Sequence, residues 1–379
     1  MKIVHIGLAC HFTEGMTYQD NMLVKACCDS NHSVVYISDI FHYYDGELVP
    51  CEEGEYKIAD NFRLIRVKYD TIISNRVASK IRKVSKLKKI LEEIKPDVIL
   101  YHEFCGYELL TVAEYVKENP NVIFYGDAHA DFHNTAKTSI AKLFYRYIHG
   151  YFVKKALPYV RKVLCISMES MDYLKEMYKI TEDKIEWYPL GGMVFNDEFY
   201  NFKRKKIREE IGLSDEEILF VHSGKMNKEK KTEELLRAFT EIKDNRFRLI
   251  LIGSLTEEVK EAIMPYVETD SRIEFLGWKT GDELQEYLCA ADMYMQPGTQ
   301  SATMQNAICC RCAVMLYPYR SHVPYVVGNG YFVENMMDIK NVLLNISGNP
   351  EILKEMSYIS KKMGSEILDY SKLAERLCI

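Results

Sequence analysis

Short β-branched and apolar runs alternate with amphipathic stretches along the first half of the chain. The runs predict strands, and the stretches between them predict helices, at strands 2–7, 32–38, 97–103, 121–127 and 162–167 and helices 87–94 and 108–118. Strands that alternate with helices build parallel sheets covered on both faces. The first half therefore predicts an α/β domain.

The alternation breaks near residue 187 and then restarts. Pro189, Gly191 and Gly192 interrupt the pattern and a polar stretch follows, which indicates an interdomain connection. The second half then predicts strands at 217–224, 247–253, 272–277, 292–297 and 313–318, with helices at 232–242, 256–267, 281–291 and from about Thr303.

Two successive doubly wound halves predict two Rossmann-like domains of the α/β class. We expect a domain at 1–190 and a domain at 206–355, with a helix at about 356–379 that packs back onto the first. In such folds ligands bind at the carboxyl ends of the strands, so we expect the domains to face each other across a ligand cleft.

Composition narrows the class of protein. Of the 379 residues, 47% are hydrophobic and 27% are charged, which is typical of a soluble globular protein. A formal net charge of −6 argues against a nucleic-acid partner. No apolar run approaches the roughly 18 residues of a membrane span, and the amino terminus reads as a buried strand rather than a signal peptide.

The 11 cysteines are scattered, odd in number and without an export signal. This pattern favours reduced thiols and a cytoplasmic location. Cys309 and Cys312 have a CxxC spacing, but no second pair accompanies them. We therefore expect small buried residues at a helix end rather than a metal or redox site.

Two loops of the second half carry candidate chemistry. In the first, Gly224 ends a predicted strand and Lys225 and Lys230 follow, five residues apart, which suits either a diphosphate or a solvated basic loop. The second, "PGTQSATMQNAICC" at 297–310, is polar without any charge. It is either a ligand-contacting turn or a polar helix cap, with Ser301 or Thr299 as the N-cap.

The second half resembles the carboxy-terminal domain of retaining, family-4 glycosyltransferases of the GT-B fold. The resemblance implies that Gly224, Lys225 and Lys230 grip the diphosphate of the donor. It implies a donor-binding role for two further segments, comprising Gly277, Trp278, Gly298, Thr299, Ser301, Ala302, Thr303, Gln305 and Asn306.

The turn departs from that family, whose members usually carry two glutamates eight positions apart across it. Gln305 and Asn306 stand where the second glutamate should fall. An amide can still hydrogen-bond a ribose diol. Free N–H groups from about Ser301 to Thr303 are expected to form an anion site at the start of the helix.

The first half is similar to polysaccharide glycosyltransferases of the same group. The resemblance implies that Gly15, with Glu14, lies in an acceptor-side loop and that His129 lies close to the transferred sugar, with His133 as a competing candidate. Asp127 is expected to orient His129 or to meet an acceptor hydroxyl. His102 and Glu103 are expected on the acceptor side.

The implied activity is transfer of a sugar from a nucleotide-diphosphate donor, with UDP preferred, to a hydroxyl of a saccharide or lipid-linked acceptor. The resemblance implies retention, surface polysaccharide or glycoconjugate synthesis, and no metal or other cofactor. A non-catalytic subunit that binds glycan or an active partner, and a sugar-nucleotide epimerase, stay open as alternatives.

Two basic stretches, 76–89 and 136–162, have two possible structural interpretations. Basic helices with aromatic residues can lie on an anionic membrane surface, which would place the protein peripherally on the inner face of the membrane. The other reading is a solvated helix face.

Overall fold

The computed structural model describes residues 1–71 and 74–379. The chain divides into two compact units, Met1–Pro189 with Leu373–Ile379 (unit 1) and Leu190–Lys372 (unit 2). Each is a Rossmann-like α/β domain, which confirms the predicted fold class. The predicted bounds were 1–190 and 206–355, with 356–379 returning to the first domain.

Unit 1 is built on a twisted sheet of eight strands. Its order is β10-β9-β8-β7-β1-β2-β6-β5, parallel except for the antiparallel edge strand β5. The strands are β1 Lys2–Gly7, β2 Ser33–Asp39, β3 Phe41–Tyr44, β4 Glu47–Pro50, β5 Gly54–Ala59, β6 Phe62–Val67, β7 Val98–Tyr101, β8 Ile123–Ala128, β9 Lys162–Cys165 and β10 Ile185–Trp187, of which β3 and β4 form a separate hairpin.

The helices of unit 1 cover this sheet. They are α1 Gln19–Asp29, α2 Asn75–Ile81, α3 Leu87–Ile94, α4 Glu108–Glu118, α5 Ser139–Phe144, α6 Gly150–Ala156 and α7 Met168–Tyr178, with a π-helical turn at Tyr145–His149 and 3₁₀ turns at Leu157–Tyr159 and Glu182–Lys184. Helix α3 buries Leu87, Leu91 and Ile94, which the helical period places on one face.

Unit 2 contains a sheet of six strands, paired in parallel throughout, in the order β13-β12-β11-β14-β15-β16. The strands are β11 Ile218–Met226, β12 Phe247–Leu255, β13 Ile273–Phe275, β14 Met293–Gln296, β15 Ala313–Leu316 and β16 Gly330–Phe332. The helices are α8 Asp197–Glu210, α9 Thr232–Glu241, α10 Glu257–Thr269, α11 Gly281–Ala290, α12 Thr303–Cys309, α13 Met336–Gly348, α14 Ile352–Met363 and, crossing the unit boundary, α15 Tyr370–Arg376, with 3₁₀ turns at Lys228–Lys230 and Arg320–Tyr325 and a π-helical turn at Gly364–Leu368.

The polar stretch after residue 192, which the sequence analysis assigned to the interdomain connection, contains helix α8 of unit 2. Asn196 caps α8 by accepting a hydrogen bond from Phe199 N, and Arg204 of α8 pairs with Asp292 at 2.5 Å. Arg208 is buried and donates to Ala290 O. The helix makes these contacts with arginines rather than with an apolar stripe, so the sequence pattern did not reveal it.

Chain order and sheet order together fix where loops converge. In unit 1 the neighbours β1 and β7 mark the point where the strand order reverses: the order continues through β2 on one side and through β8, β9 and β10 on the other. In unit 2 the neighbours β11 and β14 mark the same kind of point, with β12 and β13 on one side and β15 and β16 on the other. Such a topological switch point opens a crevice at the carboxyl ends of the two strands, where open α/β sheets bind ligands. The predicted loops follow β7, β11 and β14.

Cys309 and Cys312 are buried at a helix end, as predicted. All 11 cysteines are free, and Cys310 is also buried at the end of α12.

Candidate functional site

The lysine loop and the polar turn of unit 2 meet at the switch point, as their positions after β11 and β14 predict. Lys230 Nζ donates to the backbone carbonyls of Thr299 at 2.9 Å and Gln300 at 3.2 Å. Its chain passes over Gly224, with Lys230 Cε 3.5 Å from where a Cβ on Gly224 would lie. One buried lysine thus joins three predicted site elements.

Gly298 allows the two loops to come this close. A Cβ at this position would lie 2.2 Å from the carbonyl oxygen of Glu229 and 2.6 Å from the carbonyl carbon of Lys230, both of them backbone atoms. The next residue, Thr299, donates its N–H to the same Glu229 oxygen at 3.1 Å. A side chain at 298 would therefore force the turn away from Lys230.

Lys230 is a buried cation without a counter-charge. The residue is 7% exposed, and burial lowers the pKa of its ammonium group to about 8. Among the described residues no carboxylate lies within ion-pair distance of it, and its hydrogen-bond acceptors are two neutral carbonyls. Burying an unpaired charge is unfavourable, so this arrangement favours an incoming anion. Lys225, by contrast, is exposed.

The start of α12 differs from the predictions. The N-cap is Ala302, so Ser301 and Thr299 do not cap the helix as expected. Thr303 N donates to Ser301 Oγ at 3.3 Å, and Met304 N donates to Ser301 O at 3.2 Å. Of the N–H groups from Ser301 to Thr303, Thr303 N is therefore already engaged, and α12 has only seven residues, so anion binding at this helix start stays a prediction.

The two amides at the positions of the missing glutamate have partners within unit 2. Gln305 is buried and donates to Tyr325 Oη at 3.4 Å. Asn306 Oδ1 accepts from Met193 N at 3.4 Å, which holds the segment at Gly192 against α12. Both side chains therefore have hydrogen-bond partners within unit 2. Ribose binding by them stays a prediction.

Gly277 and Trp278 follow β13, so they lie at the carboxyl end of a strand of the unit 2 sheet, as do the lysine loop and the polar turn. Gly277 has φ +69 and accepts a hydrogen bond from Gly253 N at 2.8 Å. Gly253 pairs in register with Gly224. Trp278 is 74% exposed, so its indole is accessible for stacking.

His222 supports this switch point and was not singled out from the sequence. Its Nδ1 lies 2.7 Å from Met295 O in β14, and its Nε2 lies 2.9 Å from Thr232 Oγ1 at the start of α9. Burial lowers its pKa to about 4. A neutral imidazole thus links β11, β14 and α9 beneath the two loops. The only sequence signal was a polar residue within a buried strand.

In unit 1 four of the candidate residues form a network around Asp127. His102 Nδ1 donates to Asp127 Oδ2 at 2.6 Å, and Glu103 N donates to Asp127 Oδ1 at 2.8 Å. His129 Nε2 lies 3.7 Å from Asp127 Oδ2. The residues follow β7 and end β8, which are neighbours in the sheet. Asp127 therefore joins His129, predicted near the transferred sugar, to the predicted acceptor-side residues His102 and Glu103.

The charges of this network compensate each other. Burial alone would raise the pKa of Asp127, but His102 and His129 hold it well below its ordinary value. Burial alone would lower the pKa of His129, but the negative charge of Asp127 raises it to about 9. Asp127 is thus an anion and His129 a cation near neutral pH.

His5 extends the network, and the sequence analysis missed it. Its Nδ1 lies 3.0 Å from His102 Nε2, and its ring stacks on Tyr36 and His102. Burial and the charge of His102 lower the pKa of His5 well below its ordinary value. Among the described residues its buried Nε2 has no hydrogen-bond partner. The sequence signal was a histidine inside the first strand.

The remaining predicted residues of unit 1 lie on loops. Glu14 and Gly15 are exposed, and Gly15 has φ +78, which favours glycine. His133 is exposed on the loop after β8, where its backbone N donates to Asp131. Of the two competing histidines, His129 is therefore the one beside Asp127.

Comparison with family models matches both halves of the chain. Residues 22–191 match the model described as Glycosyltransferase Family 4, and residues 203–363 match the model described as Glycosyl transferases group 1. A curated relative is the alpha-galactosylglucosyldiacylglycerol synthase of Streptococcus pneumoniae, 21% identical over 167 residues. That alignment covers 42% of this chain and 45% of the relative, so it spans less than half of the relative's length.

Solved structures with a similar fold cover the whole chain. Anabaena HepE, solved in complex with UDP, is 11% identical with a TM-score of 0.66, covering 100% of this chain and 98% of that chain. The sucrose-phosphate synthase of Thermosynechococcus elongatus is 14% identical with a TM-score of 0.66, covering 100% and 97%. At these identities the likeness establishes the fold. With the two family models, it follows that this chain belongs to the family-4-like glycosyltransferases of the GT-B fold.

Proposed function

We propose that the protein transfers a hexosyl group from a UDP-sugar to an acceptor hydroxyl with retention of configuration. The observation that carries the proposal is Lys230, a buried cation without a counter-charge that is tied to the turn after β14. A diphosphate supplies the missing negative charge. HepE was solved with UDP, and its similar fold supports the choice of nucleotide.

In this proposal unit 2 stabilises the leaving group. Negative charge grows on the diphosphate as the bond to the sugar breaks, and a fixed cation in a water-poor site stabilises that charge strongly. Lys230 provides the fixed charge, while exposed Lys225 adds a second, more mobile one. Trp278 offers its exposed ring to the nucleotide base.

Unit 1 contributes the groups around the transferred sugar and the acceptor. With its pKa raised to about 9, His129 donates a hydrogen bond to an oxygen of the sugar or phosphate. Asp127 is held ionised by His102 and His129, so it orients His129 rather than taking a proton. The acceptor proton passes to the departing phosphate oxygen, so no protein base is required.

No metal is needed in this scheme, because lysine charges do the work that a divalent cation does in other transferases. Full activity in the presence of a chelator is therefore expected.

We further propose a lipid-linked acceptor reached at an anionic membrane. From 132 to 168 the sequence contains no acidic residue. Between 137 and 155 a set of exposed side chains, the basic aromatic face, combines lysine and arginine with apolar residues: Lys137, Ile140, Lys142, Leu143, Arg146, Tyr147, Ile148, Tyr151, Lys154 and Lys155. Helices with this composition lie in membrane interfaces. The diacylglycerol in the pneumococcal relative's name supports a lipid acceptor.

The structure contains no helix, in the part of the chain it describes, that is long and apolar enough to cross a bilayer. Flotation with phosphatidylglycerol and phosphatidylcholine vesicles tests the surface contact. Binding to the anionic vesicles should be lost in the Ile140→Asp/Tyr147→Asp variant and kept in Tyr44→Asp, whose tyrosine is equally exposed on β3 of the same unit. Equal flotation of all three proteins would refute the contact.

A second candidate is a non-catalytic glycosyltransferase-like subunit, favoured by the absence of glutamates from 297–310. Incubation with UDP-, GDP- and ADP-sugars and a panel of acceptors separates the candidates. Release of UDP that depends on an acceptor indicates transfer. Thermal stabilisation by UDP without turnover indicates the subunit, and a changed sugar with the nucleotide still attached indicates an epimerase.

A further inference from the structure

A cavity in unit 1 adjoins the Asp127 network and contains a charged group that the proposed reaction does not use. Its volume is about 150 Å³, and it lies where the segments after β7 and β8 meet α7 and the turn at Tyr145–His149. Its polar lining includes Arg82, Glu103, Cys105, Tyr145, Tyr173 and Tyr178.

Arg82 lines this cavity, donates a hydrogen bond to the hydroxyl of Tyr145 and interacts at longer range with the carboxyl of Glu103. It is the C-cap of α2, with φ 58, and its Nη1 donates to Cys105 Sγ at 3.3 Å. A thiol is a weak and neutral acceptor. Among the described residues no carboxylate lies within ion-pair distance of Arg82, although most arginines in interiors are paired. Its planar fork of N–H donors suits a carboxylate or a phosphate.

We infer that this cavity binds an oxyanion carried by the acceptor, with Arg82 as its principal ligand. The inference rests on the proposed function, because it assigns a substrate class to the acceptor side of the same unit. A volume of about 150 Å³ is well above the roughly 10–15 Å³ that one enclosed water requires, and it is enough for a carboxylate or phosphate and part of a sugar ring. The aromatic lining offers ring faces to that sugar.

Glu103 connects the cavity to the candidate reaction groups. It lines the cavity, and its backbone N–H donates to Asp127 Oδ1 at 2.8 Å. Its φ of 57 lies in the left-handed region, which is unfavourable for a glutamate and is typical of positions held by function. Burial raises the pKa of its carboxyl, which suits hydrogen bonding to a hydroxyl of the same ligand. An acidic group at Arg82 therefore positions its carrier beside the Asp127 network.

The oxyanion has two possible sources, a carboxylate of an acidic sugar and a phosphate ester. Full-length protein is titrated with methyl glucuronide, sn-glycerol 3-phosphate and methyl glucoside, with and without saturating UDP. UDP occupies the Lys230 site, so binding that persists beside it belongs elsewhere. We expect one of the two acids to bind at least about tenfold more tightly than the neutral glucoside, the strength of a charge-assisted pair.

The variants assign that binding to Arg82. Arg82→Gln should weaken binding of the preferred acid at least about tenfold, and Arg82→Lys should weaken it less. Arg161→Gln, which removes an exposed charge of the same unit outside the cavity lining, should leave it unchanged. UDP affinity should be the same in all four proteins. Acid binding that is unaffected in Arg82→Gln, or a glucoside that binds as tightly as both acids, overturns the inference.

Site-resolved alkylation of Cys105 in the wild-type protein covers the case in which Arg82→Gln does not fold. Bound acid should slow alkylation of this thiol, because Cys105 lines the cavity and contacts Arg82. Unchanged alkylation at saturating acid overturns the inference. Wild-type protein that binds the acid but not UDP refutes the proposed donor and leaves the oxyanion site standing.

Discussion

The two units place polar groups at equivalent switch points but treat their charges differently. At the switch point of unit 1, Asp127 is surrounded by His102, His129 and the N–H of Glu103, so its charge is compensated within the fold. At the switch point of unit 2, Lys230 is buried against two neutral carbonyls. The charge of Asp127 in unit 1 is thus balanced by neighbouring groups, whereas the charge of Lys230 in unit 2 has no neighbouring anion among the described residues.

This difference indicates how each unit meets a ligand. A compensated network keeps its geometry and protonation without a substrate, which suits the orientation of a sugar hydroxyl. An uncompensated cation is unfavourable in the free protein and becomes favourable when a phosphate arrives, so part of the donor's binding energy comes from completing the site. In the free protein, the unpaired charge of Lys230 therefore lowers stability locally in unit 2, and the same charge increases the affinity of the site for an anion.

The largest expected effect follows removal of the unpaired cation. Lys230→Ala should lower kcat/KM by about a hundredfold, the size seen when a fixed charge-stabilising group is lost. Lys228→Ala, in the same 3₁₀ turn but exposed, should change it less than about twofold. Steady-state kinetics with the preferred donor measures both. Equal losses in the two variants would show that the loop contributes only general positive charge.

A smaller effect should follow separation of the two loops without loss of charge. Gly298→Ala places a Cβ against the backbone of Glu229 and Lys230, so we expect UDP affinity to fall about tenfold and stability by about 1–3 kcal/mol. Gly348→Ala is the matched control, because a Cβ there meets no atom within 4 Å. Calorimetry with UDP and chemical unfolding give the two quantities. Undiminished UDP binding in Gly298→Ala would show that contact between the loops is not needed.

In unit 1, removal of the central anion should move a pH profile. With Asp127→Asn, the strongest opposition to burial is lost, so the pKa of His129 should fall from about 9, and turnover should begin to decline at a lower pH than in the wild-type protein. Because the pKa of His129 is raised in the folded wild-type protein, its stabilisation is complete below about pH 6.5 and is lost as the pH rises through about 9.

NMR titration of His129 and the pH dependence of kcat test this expectation. Asp131→Asn is the control, because Asp131 accepts backbone hydrogen bonds from His133 and Asn134 in the next loop. Identical pH profiles for wild type and Asp127→Asn would mean that His129 does not depend on Asp127.

The smallest effect is expected from chelation. If the lysines of unit 2 supply the positive charge, a chelator should change turnover less than about twofold. Strong inhibition, reversed by added Mg²⁺ or Mn²⁺, would show that a metal ion carries the charge assigned here to Lys230.

Much of the fold could be predicted because buried parallel strands are continuous apolar runs. Strands 2–7 and 247–253 and helices such as 87–94 lie where the pattern placed them. The segment 41–67 was missed. Its strands β3 and β4 form a separate hairpin and β5 is an edge strand; all three are largely exposed, so they lack the apolar signal.

The candidate site was predictable where function depends on local spacing. Lys230 and the turn at 297–303 were identified because each directly follows a strand of an α/β pattern. His5 and Arg82 were not, because their roles depend on packing across long separations. His5 meets His102 across the sheet, and Arg82 meets Cys105, whereas in the sequence Arg82 looks like one more charge in a basic stretch.

The most direct test of the central claim is the pKa of the Lys230 ammonium group, measured by NMR of lysine labelled at Cε, with Lys230→Arg used to assign the signal. The free protein should titrate near 8, and saturating UDP should raise the value above 10, because the diphosphate supplies the missing counter-charge. A pKa that is the same with and without UDP would contradict the account, because the donor would then bind away from the one buried cation that the account assigns to it.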